Sequence, residues 1–209
     1  MKYLLTAITT IIFSWNSFAQ EVNPAYKTNS VTFLGLDYSA AIFIGSNGFS
    51  DPAALKTLCF SWNSLFISEQ KKYDIQKAFN VRTTYNLSVV NKRNEATDFT
   101  NRITDKDIVL PHLTKEDIQP IINGYPDFDE KGVALVFIVD AYNKPNATAY
   151  YHVVFFNTKT KEVLLTYVIT GEAGGAGVRN YWANSYHDAI LKAGSKYSST
   201  AGFYRNYTY

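Results

Sequence analysis

The sequence predicts an α+β fold, with one mixed sheet of about five strands ending in an antiparallel meander and two or three helices packed on it. Three patterns carry that expectation. Residues 133–139 (VALVFIV) are seven consecutive apolar residues, the pattern of a central strand buried on both faces. Two more strand-like runs, 148–156 and 163–169, follow across connections short enough for hairpins. Leu55, Leu58, Cys59, Trp62, Leu65 and Phe66 recur at helical spacing and make one apolar face.

Read in order, the chain opens with the grammar of a secretory signal. Lys2 supplies the positive region, residues 4–13 the apolar core, and Ser17-Phe18-Ala19 a small-residue cleavage site before Gln20. The apolar core is too short to span a bilayer. Residues 1–19 are therefore expected to be a signal peptide, and residues 20–209 a single α+β domain. Residues 20–30 read as a polar leader, and 32–37 and 40–44 as two short strands or one bent strand. Ser50-Asp51-Pro52 reads as a helix start, with Ser50 as N-cap and Pro52 in the first turn. The helix that follows places Trp62 mid-face, where it should be buried.

A short helix is expected over 71–79, then a half-buried strand over 81–89 from the alternation Val81, Thr83, Tyr85, Leu87, Val89. Residues 91–107 are polar and without clear period, which reads as a long exposed connection. Thr114 and Asp117 have capping-box spacing for a helix ending near Gly124, with Pro120 inside it as a source of kinking. After the three strands, Val178, Tyr181, Trp182, Ser185, Ala189, Ile190 and Ala193 mark a last helix, with Gly194 as its stop.

Composition narrows the function classes. Hydrophobic residues at 46% and charged residues at 18% describe a globular chain rather than a disordered one. A net charge of +2, without any basic block, offers no footprint for nucleic acid or an anionic membrane. The single cysteine excludes an internal disulfide framework, so packing must hold the fold, and Cys59 reads as a buried small hydrophobe. Sixteen tyrosines supply apolar rings with a polar tip, suited to sheet packing and to contact surfaces.

Motifs for chemistry are sparse. His112, His152 and His187 stand apart in sequence, with neither HExxH nor cysteine partners, and no GxSxG or SxxK occurs. Asp127, Asp129 and Glu130 cluster in a turn without EF-hand spacing, and Asn146-Ala147-Thr148 matches a glycosylation sequon. No catalytic residue, metal ligand or cofactor is assigned from these patterns. The strongest local feature is the glycine-rich segment 171–177 between a strand and a helix. Its spacing is neither GxGxxG nor GxxxxGK[ST], so a tight crossover is the plainer reading. Gly174, Gly175, Gly177 and Arg179 are the candidate binding residues, because backbone N–H groups at a helix start can hold an anion. A cation in that first turn opposes the helix dipole. Arg179 should therefore have an anionic partner, either an internal carboxylate such as Glu172, or a partner protein's acidic group or bound anion gripped jointly with the N–H groups of 174–177.

The glycine-rich segment running into Val178-Arg179-Asn180-Tyr181-Trp182-Ala183 resembles a recurring ending in uncharacterised exported proteins of Bacteroidota. Trp62-Asn63 and Lys72-Tyr73-Asp74 extend the resemblance. It implies export to the cell envelope and carries no assigned activity or site residue. More remotely, the element order is similar to the α/β domains of envelope proteins related to the amino-terminal domain of TolB or to curli secretion lipoproteins. The absence of a lipobox departs from the lipoprotein members.

These readings lead to an expected function: a periplasmic or secreted, non-enzymatic cell-envelope protein that binds or helps assemble another envelope protein. It should need no nucleic acid, cofactor or transmembrane segment. The alternatives are a hydrolase whose site is dispersed in sequence and a carbohydrate-binding module that uses exposed tyrosines for stacking.

Overall fold

The computed structural model describes residues 22–49 and 51–207. The expected signal peptide lies outside the described residues. In chain order the elements are α1 (Pro24–Lys27), β1 (Ser30–Asp37), β2 (Ile42–Ile44), a 3-10 turn (Ser46–Gly48), α2 (Pro52–Ser68), α3 (Ile75–Phe79), β3 (Arg82–Tyr85) and α4 (Ser88–Ala96). They continue with β4 (Ile103–Thr104), α5 (Lys115–Asn123), β5 (Val133–Asn143), β6 (Thr148–Asn157), β7 (Val163–Glu172) and α6 (Val178–Tyr207).

β5 is the spine of the sheet. Its whole length pairs antiparallel with β6, from Val133 opposite Asn157 to Asn143 opposite Thr148. The other edge is shared end to end by two parallel partners, β1 against residues 134–138 and β2 against 141–143. Outside them lie β3, parallel to β1, and β4, parallel to β2. β7 continues the other side, antiparallel to β6.

The apolar run that marked β5 is explained by burial on both faces. Leu135, Phe137 and Val139 join Phe33, Tyr151, Val153 and Phe155 in a core beneath α2, α3 and α6. Ala134, Val136 and Ile138 face the other way, with Leu34, Val154 and Phe156, against Val89 and Val90 of α4 and Ile118 and Ile122 of α5. The larger core is aromatic. Trp62 is fully buried, Trp182 stacks on Tyr142 with centroids 4.3 Å apart, and Tyr197 stacks on Phe155 at 4.7 Å. A buried hydroxyl must find a partner. Tyr197 donates to the Ala25 carbonyl at 2.7 Å, Tyr167 to Ala193 at 3.0 Å, and the hydroxyls of Tyr38 and Tyr142 meet at 2.9 Å. From Tyr26 to Tyr204 every tyrosine side chain is buried or half-buried, so these rings serve packing first.

The α+β class stands, but details differ from the sequence reading. Among the described residues the sheet has seven strands rather than about five, because on one flank of β5 both the adjacent position (β1 and β2) and the next one out (β3 and β4) are divided end to end. Four of the six pairings are parallel, and antiparallel pairing is confined to β5–β6 and β6–β7. Among the described residues six α-helices replace the expected two or three. Asp51 caps α2, accepting the Ala53 N–H at 2.8 Å, while the expected cap Ser50 lies outside the described residues. The helix expected over 71–79 begins at Ile75, with Asp74 as cap. The strand expected over 81–89 stops at Tyr85, and the following segment, expected as an exposed connection, holds α4 and β4. Val89, which ended the alternation read as a strand, is instead buried on the inner face of α4 beside Val90. Gly194 does not stop α6 but lies inside it. A Cβ there would come within 2.3 Å of the Ala78 carbonyl oxygen, so glycine lets α6 lie directly on α3.

Two buried amides complete the broken flank of the sheet. β3 pairs with residues 30–33 of β1 and goes no further. Beyond it, Asn63 of α2 accepts the Leu36 N–H at 2.8 Å and donates to the Leu36 carbonyl at 3.0 Å. Asn94 of α4, from the opposite face, accepts the Tyr38 N–H at 2.7 Å and donates to the same carbonyl at 3.0 Å. Asn63→Ala strands the buried Leu36 N–H, and an unsatisfied buried group costs about 1–3 kcal/mol. Urea denaturation should show a loss of that size, and an unchanged midpoint would mean that the amide is dispensable.

Candidate functional site

The glycine-rich turn is closed by its own helix. Gly175 and Gly177 have φ of 104° and 79°, the left-handed region that favours glycine. The Gly174 N–H donates to the Tyr181 carbonyl at 3.0 Å, and Asn184 donates to the Gly174 carbonyl at 2.7 Å. Arg179 turns to α2. Its Nε donates to Ser61 Oγ at 2.8 Å, Nη1 to Asn180 at 3.3 Å, and Nη2 lies 3.9 Å from Glu69. The Arg179 carbonyl accepts the Trp62 indole N–H at 2.9 Å. Its carboxylate partner is thus Glu69 and not Glu172, whose N–H is taken by Asp188. None of these contacts joins the guanidinium to the N–H groups of Gly174, Gly175 or Gly177.

The richest polar chemistry lies on the other face of the sheet, where two fully buried carboxylates sit at the ends of apolar strand runs. Asp140 occupies the bulge of β5, where the register with β6 shifts between Val139 and Ala141. Its carboxylate accepts the backbone N–H groups of His112 and Leu113 at 3.1 and 2.8 Å. His112 Nδ1 lies 3.0 Å from one oxygen and His152 Nε2 3.3 Å from the other. Burial alone would push this carboxyl up. The bonds from both histidines and from the Leu113 N–H outweigh it and hold the group well below the usual carboxylate range. Each ring donates when the nitrogen facing Asp140 carries a proton. For His112 this leaves Nε2 without a protein partner on a ring whose side chain is 23% exposed. That is the orientation in which a carboxylate holds an imidazole ready to accept a proton. His152 is nearly buried, at 3%. Among the described residues no three His, Cys, Asp or Glu side chains are arranged to hold a metal ion.

Asp37, the last residue of β1, anchors a second cluster. It accepts the Ser39 N–H at 2.8 Å and the Tyr125 hydroxyl at 2.7 Å, and Arg93 Nε lies 3.4 Å from it. Burial, reinforced by the Asp37 charge, pushes the Tyr125 hydroxyl well above its ordinary value, so it remains a donor. Sequence reasoning placed His112 and His152 only as isolated residues and missed both carboxylates. The available signal was the position of Asp37 and Asp140 at the ends of buried runs, since a buried charge demands partners.

A third feature is backbone. Among the strands β7 pairs with β6 alone, side chains engage its two ends (Gln119 the Val163 N–H, Asp188 the Glu172 N–H), and its ten residues, VLLTYVITGE, carry no charge before Glu172. Residues 163–169 are half-buried and Thr170 is exposed. At its start the Leu164 carbonyl takes the Asn23 side-chain amide. No protein-family model matches this chain, and neither does any curated protein sequence.

Asp140→Asn removes the charge that four donors address. The loss should be at least about 1.5–3 kcal/mol at neutral pH, the worth of one hydrogen bond to a charged group. Because the folded carboxyl titrates below its unfolded value, its contribution is present above the ordinary carboxylate range near pH 4 and disappears as pH falls through the lower folded value. Stability measured against pH should therefore fall less steeply on the acid side in the variant. Parallel acid limbs would show that Asp140 is not the linked group.

Proposed function

We propose that this chain is an exported, non-enzymatic cell-envelope protein that binds another polypeptide by adding it as a strand along β7. The observation that supports this is the ten-residue edge, paired on one side only and uncharged up to Glu172. Edge strands that are not meant to pair are shortened, bulged away or marked with charge. The other outermost strands, β3 and β4, have four and two residues, whereas β7 has ten, is bulged only at Leu164 near its start, and lacks an internal lysine or proline. The occupant that matches it is an extended, uncharged segment of a partner, held by main-chain hydrogen bonds. Past Leu164, where Asn23 already engages the edge, the run from Thr166 to Gly171 offers the backbone for that pairing. The signal-like amino terminus and the resemblance to exported Bacteroidota proteins support a reading in which the encounter takes place in the periplasm or outside the cell.

A photo-crosslinking residue at Thr170 should give a discrete adduct in cells, and one at Val109, 89% exposed in a distant stretch of sequence, should not. Lysine at position 170 should weaken capture while leaving the circular dichroism spectrum intact. No adduct above the Val109 control would contradict strand addition.

A hydrolase is the second reading, favoured by the His112–Asp140 pair with its unpartnered Nε2. It expects cleavage of p-nitrophenyl acetate above the buffer rate that falls to background in His112→Gln. Equal rates in both proteins would end this reading. The carbohydrate-binding alternative has less to draw on, since the tyrosines that would stack on sugars are largely committed to packing.

A further inference from the structure

Arg93 is held from several sides, and its positioning leaves part of its fork unused. Its Nε edge lies against Asp37, Nη2 donates to Ser39 Oγ at 3.0 Å, and the guanidinium carbon sits 4.9 Å from the Tyr125 ring centroid. Asp37, Ser39 and Tyr125 are themselves tied together, so the guanidinium is held from three sides. Nη1 makes no hydrogen bond to the protein. It borders a cleft of about 520 Å³ whose lining includes Ser39, Lys92, Thr97, Gly124 and Tyr125. Lys92 stands at the exposed rim, and Arg102 Nη2 donates to the Ser39 carbonyl at 3.2 Å. Asp37 is the one carboxylate in contact with the guanidinium, and it is fully buried beneath it. Three cations thus lie around Ser39 and its neighbours; Asp37 answers Arg93 from beneath, and the Asp98 carboxylate lies within electrostatic reach of Arg102.

We propose that this cleft is an oxyanion-binding site, in which a carboxylate or phosphate group is taken by Arg93 Nη1 with Lys92 at its rim. A guanidinium fixed by its own carboxylate and an aromatic face keeps its geometry before the ligand arrives, so less ordering is needed on binding. Gly124 is part of the design. A Cβ at that position would stand 2.6 Å from Arg93 Nη1, so any other residue would push the guanidinium aside. The backbone itself would accept alanine, since φ at Gly124 is −76°. This site is separate from the β7 edge and does not depend on strand addition.

The test is an NMR titration of the folded protein with sodium phosphate and, separately, sodium acetate at constant ionic strength. Saturable shifts at the Arg93 side chain and the Gly124 amide are expected for at least one probe. A response to phosphate alone assigns a phosphorylated ligand, and one to acetate alone assigns a carboxylate. Gly124→Ala should stay folded, as judged by its circular dichroism spectrum, and bind roughly ten- to hundredfold more weakly, the loss of one charge-assisted hydrogen bond. Arg93→Gln should abolish the response. Should Arg93→Gln fail to fold, the wild-type shifts and Gly124→Ala still decide. Absence of saturable shifts for both probes, or unchanged affinity in Gly124→Ala, would overturn the proposal.

Discussion

Between Tyr85, where β3 ends, and Ile103, where β4 begins, the outer flank of β1 faces no strand, and its backbone must find hydrogen bonds elsewhere. A buried N–H or C=O without a partner is among the costlier faults a fold can carry. Asn63 and Asn94 remove it from opposite faces, and both donate to the Leu36 carbonyl. The side-chain amide carries a donor and an acceptor in the geometry of a peptide group, so each can stand in for a stretch of missing strand. This arrangement ties α2 and α4 to the same point of the sheet. It also lets β1 end at Asp37 and β2 begin at Ile42, so that β5 is flanked along its length by two short strands.

The break has chemical consequences. Asp37 and Asp140 lie on neighbouring strands where β1 gives way to β2, and both turn to the face covered by α4 and α5. Each is answered from the segments that cover it: Asp37 by the Tyr125 hydroxyl and, as an ion pair, by Arg93, and Asp140 by His112 and Leu113. The loop before α5 and the turn after it are thus both fixed by buried charge rather than by apolar packing alone. Fixed polar side chains of this kind are what a binding cleft requires, since their orientation does not have to be created by the ligand.

Much of the scaffold was legible because it follows from local rules. The seven-residue run in β5, the Thr114–Asp117 capping box and the Pro52 helix start each depend on a few neighbouring residues. The capping box is present, with the Asp117 carboxylate accepting from the Thr114 N–H at 2.8 Å and from its hydroxyl at 2.7 Å. What could not be read depends on partners remote in sequence. Val89 continues an alternation that begins at Val81, and only the apolar face beneath α4 turns that segment into a helix. Gly194 has the look of a helix stop, and only the nearness of Ala78 makes it a packing residue. Arg179 has Glu172 near it in sequence, but the fold brings Ser61 and Glu69 to it instead. The same holds for the sites: Asp140 sits 28 residues from His112 and 12 from His152, and no spacing rule joins them.

The claim on which the architecture rests is that two side-chain amides replace a missing strand. Amide hydrogen exchange measured residue by residue under native conditions tests it most directly. The Leu36 and Tyr38 N–H groups lie where β3 no longer runs, yet both are bonded to buried asparagines. They should exchange as slowly as the amides of β5, through global unfolding. Rapid exchange at Leu36 and Tyr38, with β5 still protected, would contradict the account.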